Sequence, residues 1–420
     1  MRKYRIAGCA IVSAAIIVPA AQGQGYYDRD RYQNVRDRYQ ADFDPEPLRL
    51  GGFVATPALD LGVQSDDNVF ADAEDTESDV IFRIAPRGRI QSNWSRHLVY
   101  ANADVERLEY QDLDSESVTN LSGDLGGRLD IGSHWNVSGA LNAADLNEPR
   151  FSVANLDVFE EPLSYTRVGG SLEAEYERER LRLVGRYDTS DFDYDDADLV
   201  GGGTVSQEFR SHQLQRVTGR ASFAVSPDVA VFAQASADMR DYDAPSVFDG
   251  VPESRDSEGY SLQAGTSFEL PVLLRGDIAI GYLENTPDSD AFSDTSGLAV
   301  DASLEWFPSR LTTVTFTGTR RVTDSELIDV GTALETAAGV RVDHELRRNV
   351  LLFGRAAYEE REYDEVSRED ENTVFEVGAT YKLNKRVHTS GFFRFRDRTS
   401  TEDFETFDRN VFGVSVTFYP

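Results

Sequence analysis

The stretch that decides the fold closes the chain: Asn410-Val411-Phe412-Gly413-Val414-Ser415-Val416-Thr417-Phe418-Tyr419-Pro420. Successive side chains of a strand point to opposite faces. Phe412, Val414, Val416 and Phe418 therefore share one face, while Gly413, Ser415 and Thr417 share the other. A last strand with a greasy outer face and a small, polar inner face suits a transmembrane β-barrel. In such a barrel the closing strand must pair with the first, because an open edge in lipid leaves backbone groups unsatisfied. The final strand of a soluble sandwich alternates in the same way, so the rest of the chain has to arbitrate.

From Phe53 onward one pattern repeats to the end. Segments of alternating hydrophobicity are separated in turn by short connections and by longer acidic ones. The short turns fall near Trp94–Arg96, Ser133–His134, Glu179–Arg180, Ser226–Asp228, Leu270–Pro271, Pro308–Arg310, Arg347–Asn349 and Lys385–Arg386. The longer loops fall near 66–78, 112–117, 148–162, 189–207, 243–256, 286–294, 324–331, 364–370 and 399–405. This rhythm predicts an all-β, antiparallel up-and-down transmembrane barrel of about eighteen strands over 51–420, with sixteen as the alternative count. An even number places both termini on one side, here the short-turn, periplasmic side. A propeller would show four short strands per blade and tight turns at both ends.

The start of the chain fits the same destination. Arg2, Lys3 and Arg5 precede an apolar run from Ile6 to Val18, then Pro19-Ala20-Ala21, which reads as a secretory signal peptide over 1–23. The run is too short to anchor in a membrane. Ile6-Ala7-Gly8-Cys9 precedes the apolar run rather than following it, so it is not read as a lipidation box. Cys9 is the single cysteine, and its removal leaves a mature chain without disulfide, thiolate metal site or thiol nucleophile. Residues 24–50 form a polar periplasmic segment in which Arg29-Asp30-Arg31-Tyr32-Gln33 recurs as Arg36-Asp37-Arg38-Tyr39-Gln40. It reads as a flexible charged linker ending at Pro45 and Pro47, with a periplasmic contact segment as the alternative.

The formal charge of −32 argues against a nucleic-acid partner. An apolar content of 40 % with no long apolar run after the signal excludes a helical membrane protein but not a barrel, whose strands show only half their residues to lipid. Alternation then separates the faces. Val229, Val231, Ala233, Ala235, Ala237 and Met239 oppose Gln234, Ser236, Asp238 and Arg240. Val272, Leu274, Ile278, Ile280 and Tyr282 oppose Arg275 and Asp277. Val217, Ala221, Phe223 and Val225 oppose Arg210, His212, Arg216 and Arg220, and Phe393 and Phe395 oppose Arg394 and Arg396. A charge facing lipid at mid-membrane costs about 2–4 kcal/mol, so the charged members face inward. Arg210, Arg216, Arg220, Asp238, Arg240, Arg275, Asp277, Arg394 and Arg396 are accordingly the expected lumen-lining residues. They read either as a guide for anionic or polar solutes or as cross-strand ion pairs that stiffen a wide barrel. Trp94, Trp135, Trp306, Phe307 and Tyr282 suit interfacial girdles.

Catalytic and metal signals are weak. His97, His134, His212, His344 and His388 show no metal-ligand spacing, and no Gly-x-Ser-x-Gly elbow or phosphate loop is present. Gly201-Gly202-Gly203 is a loop hinge. Asp191, Asp193 and Asp195 echo the start of a calcium loop, but its glycine and closing Glu are missing. With Asp66, Asp67, Asp288 and Asp290 they read as solvated acidic loops; sharing divalent cations with lipopolysaccharide phosphates is the alternative. No enzyme activity, cofactor or metal is expected.

Phe53-Val-Ala-Thr-Pro57-Ala-Leu59-Asp-Leu-Gly62-Val-Gln-Ser-Asp66-Asp67-Asn68-Val69-Phe70 resembles the opening of a family of outer-membrane β-barrel porins (type 2), members of which are associated with exopolysaccharide synthesis operons. The segment Asp79-Val80-Ile81 to Pro86, Asn93-Trp94-Ser95-Arg96 and Asn147-Glu148-Pro149-Arg150 continue the likeness. The terminal Tyr419-Pro420 departs from the usual aromatic ending. The resemblance implies a Gram-negative outer-membrane location and a role in surface-polysaccharide export, with no ligand residues to carry over. The expected function is a porin-like channel for polar solute or polymer; the alternative is a structural or cell-surface interaction barrel with an occluded lumen. Expected partners are outer-membrane lipid, lipopolysaccharide, the barrel-assembly machinery and polysaccharide or export components.

Overall fold

The computed structural model describes residues 26–27, 31–152, 158–248, 250–363, 365–402 and 405–420. The signal peptide read at 1–23, with Cys9, lies outside the described residues, as do Arg29 and Asp30 of the first repeat copy. Among the described residues eighteen strands form one closed antiparallel barrel. They are β1 (Ala58–Asp66), β2 (Asp79–Ser92), β3 (Leu98–Tyr110), β4 (Val118–Ile131), β5 (Trp135–Asn147), β6 (Ser164–Arg178), β7 (Leu181–Tyr194), β8 (His212–Ser226) and β9 (Val229–Tyr242). They continue with β10 (Ser257–Leu270), β11 (Leu274–Pro287), β12 (Thr295–Ser309), β13 (Thr312–Asp324), β14 (Thr332–Arg347), β15 (Val350–Tyr363), β16 (Arg368–Asn384), β17 (Val387–Ser400) and β18 (Phe407–Phe418). The stretch that opened the sequence reading closes the wall: β18 pairs with β1 from Val411↔Asp66 to Phe418↔Leu59. No sheet edge is left for lipid to meet.

Each strand pairs with its chain neighbours, so every connection is a hairpin. Short turns lie at one end and longer loops at the other, as the spacing predicts. Left-handed backbone at Glu179 and Leu273 makes two of the short turns tight. Two loops carry hairpins of their own, Ala197–Asp198 with Thr204–Val205 and Ser246–Phe248 with Val251–Glu253. A further hairpin, Leu48–Leu50 with Phe53–Ala55, extends β2 at its short-turn end.

The outer face is the apolar one. Leu121, Leu125, Leu141, Val168, Leu172, Val217, Leu262, Ile280, Val377, Phe393, Phe412 and Val414 are all exposed there. A large barrel has no single dry core; apolar packing instead gathers under the long loops, as at Phe159, Leu163 and Ala197, and at Val330, Ala333 and Tyr363.

Several sequence expectations change. The loop placed at 189–207 starts later, because β7 runs on to Tyr194. Phe192 and Tyr194 take inward positions and stack on His212 (4.8 Å) and Tyr165 (5.0 Å), which holds the strand together where acidic residues suggest a loop. Phe307 is not a girdle residue: it is buried, stacked on Tyr32 at 5.1 Å, while its neighbour Trp306 faces out. Arg210 is not on a strand but in a one-turn 3-10 helix, Glu208–Arg210, before β8.

Candidate functional site in the barrel lumen

The wall of the lumen is a lattice of ion pairs, built because inward positions recur at every second residue and adjacent strands bring them level. Arg220 reaches Asp277 at 3.2 Å, and its guanidinium lies 3.5 Å from the Phe232 ring. Arg216 faces Asp238 at 3.6 Å. Arg240 binds Asp238 and, at 2.6 Å, Asp324. Arg275 binds Glu305 and donates to the Tyr32 carbonyl at 2.7 Å. Arg394 binds Glu376 at 2.8 Å, and Arg396 lies 3.8 Å over the Phe151 ring. Eight of the nine expected lumen residues thus stand on the inner wall, and Arg210 hangs above it in a loop.

A recurring arrangement was not legible from the separate strands. An inward aromatic ring lies over a glycine on the next strand, and an arginine lies on the ring. Phe232 is level with Gly265, Tyr100 with Gly126, Phe353 with Gly378, and Phe392 with Gly413. A Cβ on any of these glycines would run into the ring. Covering a strand glycine with a cross-strand aromatic restores the packing the glycine lacks. Arg220, Arg89, Arg341 and Arg394 sit on the four rings, 3.5–6.0 Å from their centres. A cation held on a ring face gains about 0.5–2 kcal/mol and loses freedom to swing. The pairing signal was present in the sequence only as aromatics and glycines in unconnected segments.

Two loops from nearly opposite sides meet over the long-loop mouth. From the β5–β6 side, Arg150 grips Glu116 through two bonds of 2.8 and 2.7 Å, and Phe151 reaches β17, where Arg398 donates to its carbonyl at 3.2 Å. Glu148 takes bonds of 2.6 and 3.2 Å from Arg210. From the β13–β14 side, Ser325 and Gly331 accept from the buried Arg255 at 2.6 and 3.1 Å, and Glu326 accepts from Arg361 at 3.1 Å. Burial pushes the Glu148 carboxyl above its ordinary range despite Arg210. Burial opposes the Glu326 charge too, but Arg361 and Arg210 outweigh it and hold that carboxyl below its ordinary range. Asp370 anchors the rim beside them, accepting from Arg368, Arg398 and Ser400.

At the short-turn mouth the N-terminal segment is a strap, not a free linker. The Tyr27 hydroxyl shares its one proton between the carbonyls of Arg180 and Ser222, Arg31 binds Asp228 at 2.7 Å, and Tyr32 donates to the Leu270 carbonyl at 3.1 Å. Asn34 donates to Glu305, the Val35 amide to Thr313, and Arg38 to Glu345 at 3.0 Å. Asp44 and Glu46 pair with Lys382 and Lys385, and His388 donates to the Phe43 carbonyl. The duplication has a use: the third residue of each copy, Arg31 and Arg38, holds a carboxylate at a different point on the rim.

Among the described residues no three metal-ligating side chains converge. His212 is buried between Phe192 and Tyr242, each ring 4.8 Å away.

A closed barrel with a greasy exterior and a charged interior defines a porin-type outer-membrane protein. The profile of the family described as Putative beta-barrel porin 2 matches residues 40–419, and the chain belongs to that family. Among solved structures, the chain is similar to the copper transporter OprC, at 11% identity and TM-score 0.49, over 89% of this chain and 82% of that one. It is also similar to OccK2 of Pseudomonas aeruginosa, at 11% identity and TM-score 0.46, over 87% and 98% of the two chains. A BenF-like porin of Pseudomonas fluorescens Pf-5 matches at 11% identity and TM-score 0.45, over 87% and 99%. A search among curated proteins returned no match.

Proposed function

We propose that the barrel is a non-enzymatic, porin-like channel for polar solute or polymer, serving export of an extracellular polysaccharide. The observation that carries this reading is the wetness of the wall at mid-height. Asp301, Ser303, Thr317 and Arg355 face inward and are exposed, and the side chains of Arg216 and Arg394 are 37% and 40% exposed. Charged groups keep that exposure only where water fills the space beside them. Family membership and the distribution of arginine along the wall support passage of anionic or polar cargo.

The test is single-channel conductance of the refolded protein in a planar bilayer. Stable steps are expected, with an ion selectivity that changes when Arg216 and Arg220 become Ser. Correctly folded barrel that never conducts refutes the open channel. Loss of extracellular polysaccharide on deleting the gene is expected from the export version, and an unchanged amount refutes it. A second reading, a surface interaction barrel with an occluded lumen, is favoured by the loops that meet over one mouth and the strap at the other. It predicts no conductance even after the loops are cut.

A further inference from the structure

One rung of the lumen wall carries more positive charge than its neighbours can neutralise. Arg341 of β14 is level with Arg355 of β15, Arg355 with Glu376 of β16, and Glu376 with Arg394 of β17. Like charges directly opposite on adjacent strands repel. The two outer arginines have partners: Arg341 binds Asp343 at 2.9 Å and Arg394 binds Glu376 at 2.8 Å. Arg355, between them, is exposed, and among the described residues no carboxylate or carbonyl holds its guanidinium.

The surroundings give this surplus charge a shape. One step toward the short-turn end the row reads Asp343, Phe353, Gly378, Phe392, and the two rings carry Arg341 and Arg394 at 4.5 and 5.2 Å. One step the other way, Gly339 and Ala357 are too small to cover Arg355. On β13, the exposed Thr317 is level with Gly339, so one hydroxyl borders the same patch. The patch therefore offers a forked cation beside a second one fixed on a ring, with a hydroxyl partner at the side.

We propose that Arg355, with Arg341 and Arg394 beside it, is a binding subsite for the carboxylate of a sugar acid moving through the lumen. A guanidinium matches a carboxylate through two parallel hydrogen bonds. The exposed Thr317 hydroxyl suits a hydroxyl of the sugar ring. The subsite rests on the reading of the barrel as a channel, but its binding is measurable without any current.

The experiment titrates the detergent-solubilised mature protein with galacturonate, galactose or inorganic phosphate, for wild type and Arg355→Gln, and reads both binding and thermal stability. Galacturonate is expected to bind wild type and raise its melting temperature, galactose to do neither, and Arg355→Gln to bind galacturonate at least tenfold more weakly. Without ligand, Arg355→Gln is expected to melt no lower than wild type, since it removes the repulsion from Arg341; this separates lost binding from lost folding. Equal binding of galacturonate by both proteins, or of galactose and galacturonate by wild type, overturns the subsite. Phosphate binding more tightly than galacturonate overturns the assignment to a carboxylate. Arg355-dependent binding in a barrel that never conducts leaves the subsite standing and refutes the channel.

Discussion

Replacing Arg210 with Ala tests whether the loop from the β5–β6 side is held over the mouth by charge. Arg210 and Glu148 are joined by two hydrogen bonds, with side chains only 4% and 11% exposed, and the guanidinium lies 4.1 Å over the Tyr194 ring. Removing one partner of a buried ion pair costs about 3–5 kcal/mol, because the other charge is left without compensation. Glu148 has a partial escape: burial already raises its pKa, so the stranded carboxyl takes up a proton readily. The lower end of the range, about 3 kcal/mol, is therefore the expected loss, and it shifts docked against undocked loop by roughly 100-fold. The only cysteine in the sequence is Cys9, so Ser152→Cys combined with Cys9→Ser gives a single thiol, on this loop. Maleimide labelling of that thiol is expected to accelerate by up to two orders of magnitude with Arg210→Ala, and single channels to open longer. Arg210→Lys keeps the charge but loses the fork, and is expected to fall between. Labelling rates that are equal in the presence and absence of Arg210 refute the argument that this pair holds the loop.

Acidification has a defined sign at the same mouth. Glu148 titrates above its ordinary range, so its protonation in mild acid favours the docked loop; Glu326 titrates below its ordinary range, so its contribution survives mild acid and is lost only as pH falls through that lowered value. Open probability measured against pH is expected to stay flat or fall first and to rise only in stronger acid; opening in mild acid contradicts this. Tyr32→Ala combined with Arg38→Ala removes a ring stack and an ion pair from the strap, about 1–2 kcal/mol together. Trypsin is expected to cut at Arg36 roughly tenfold faster, and an unchanged rate argues that the strap is held elsewhere. Gly413→Val drives a side chain into the Phe392 ring, and overpacking of this kind costs about 1–3 kcal/mol. Thermal unfolding in detergent is expected at a lower temperature than wild type, and an equal temperature shows that the ring does not depend on the glycine.

The barrel was legible because its determinants are local. Phe412, Val414 and Phe418 declare the lipid face of β18 by spacing alone, and the alternation of short and long connections declares the hairpins. The lumen charges on β8, β9, β11 and β17 were legible for the same reason. What escaped depends on partners far apart in sequence. Phe307 looks like a girdle aromatic until Tyr32, nearly three hundred residues earlier, covers it. Arg210 looks like the first rung of β8, but Glu148 draws it into a turn above the wall. Arg355 carries no signal of its own; its interest comes from the strands that set Arg341 and Glu376 beside it.

The strap also orders events in time. Its described contacts run from the β6–β7 turn round to β17, so almost every partner it binds is encoded after it in the chain. Residues 26–27 and 31–47 precede the wall in sequence, yet their seat is complete only when β16 and β17 are in place. Arg38 therefore finds Glu345 only once β14 is in place, and Asp44 finds Lys382 only once β16 is. Protection of the strap from protease then serves as a clock for assembly, falling into place in step with the seam between β18 and β1.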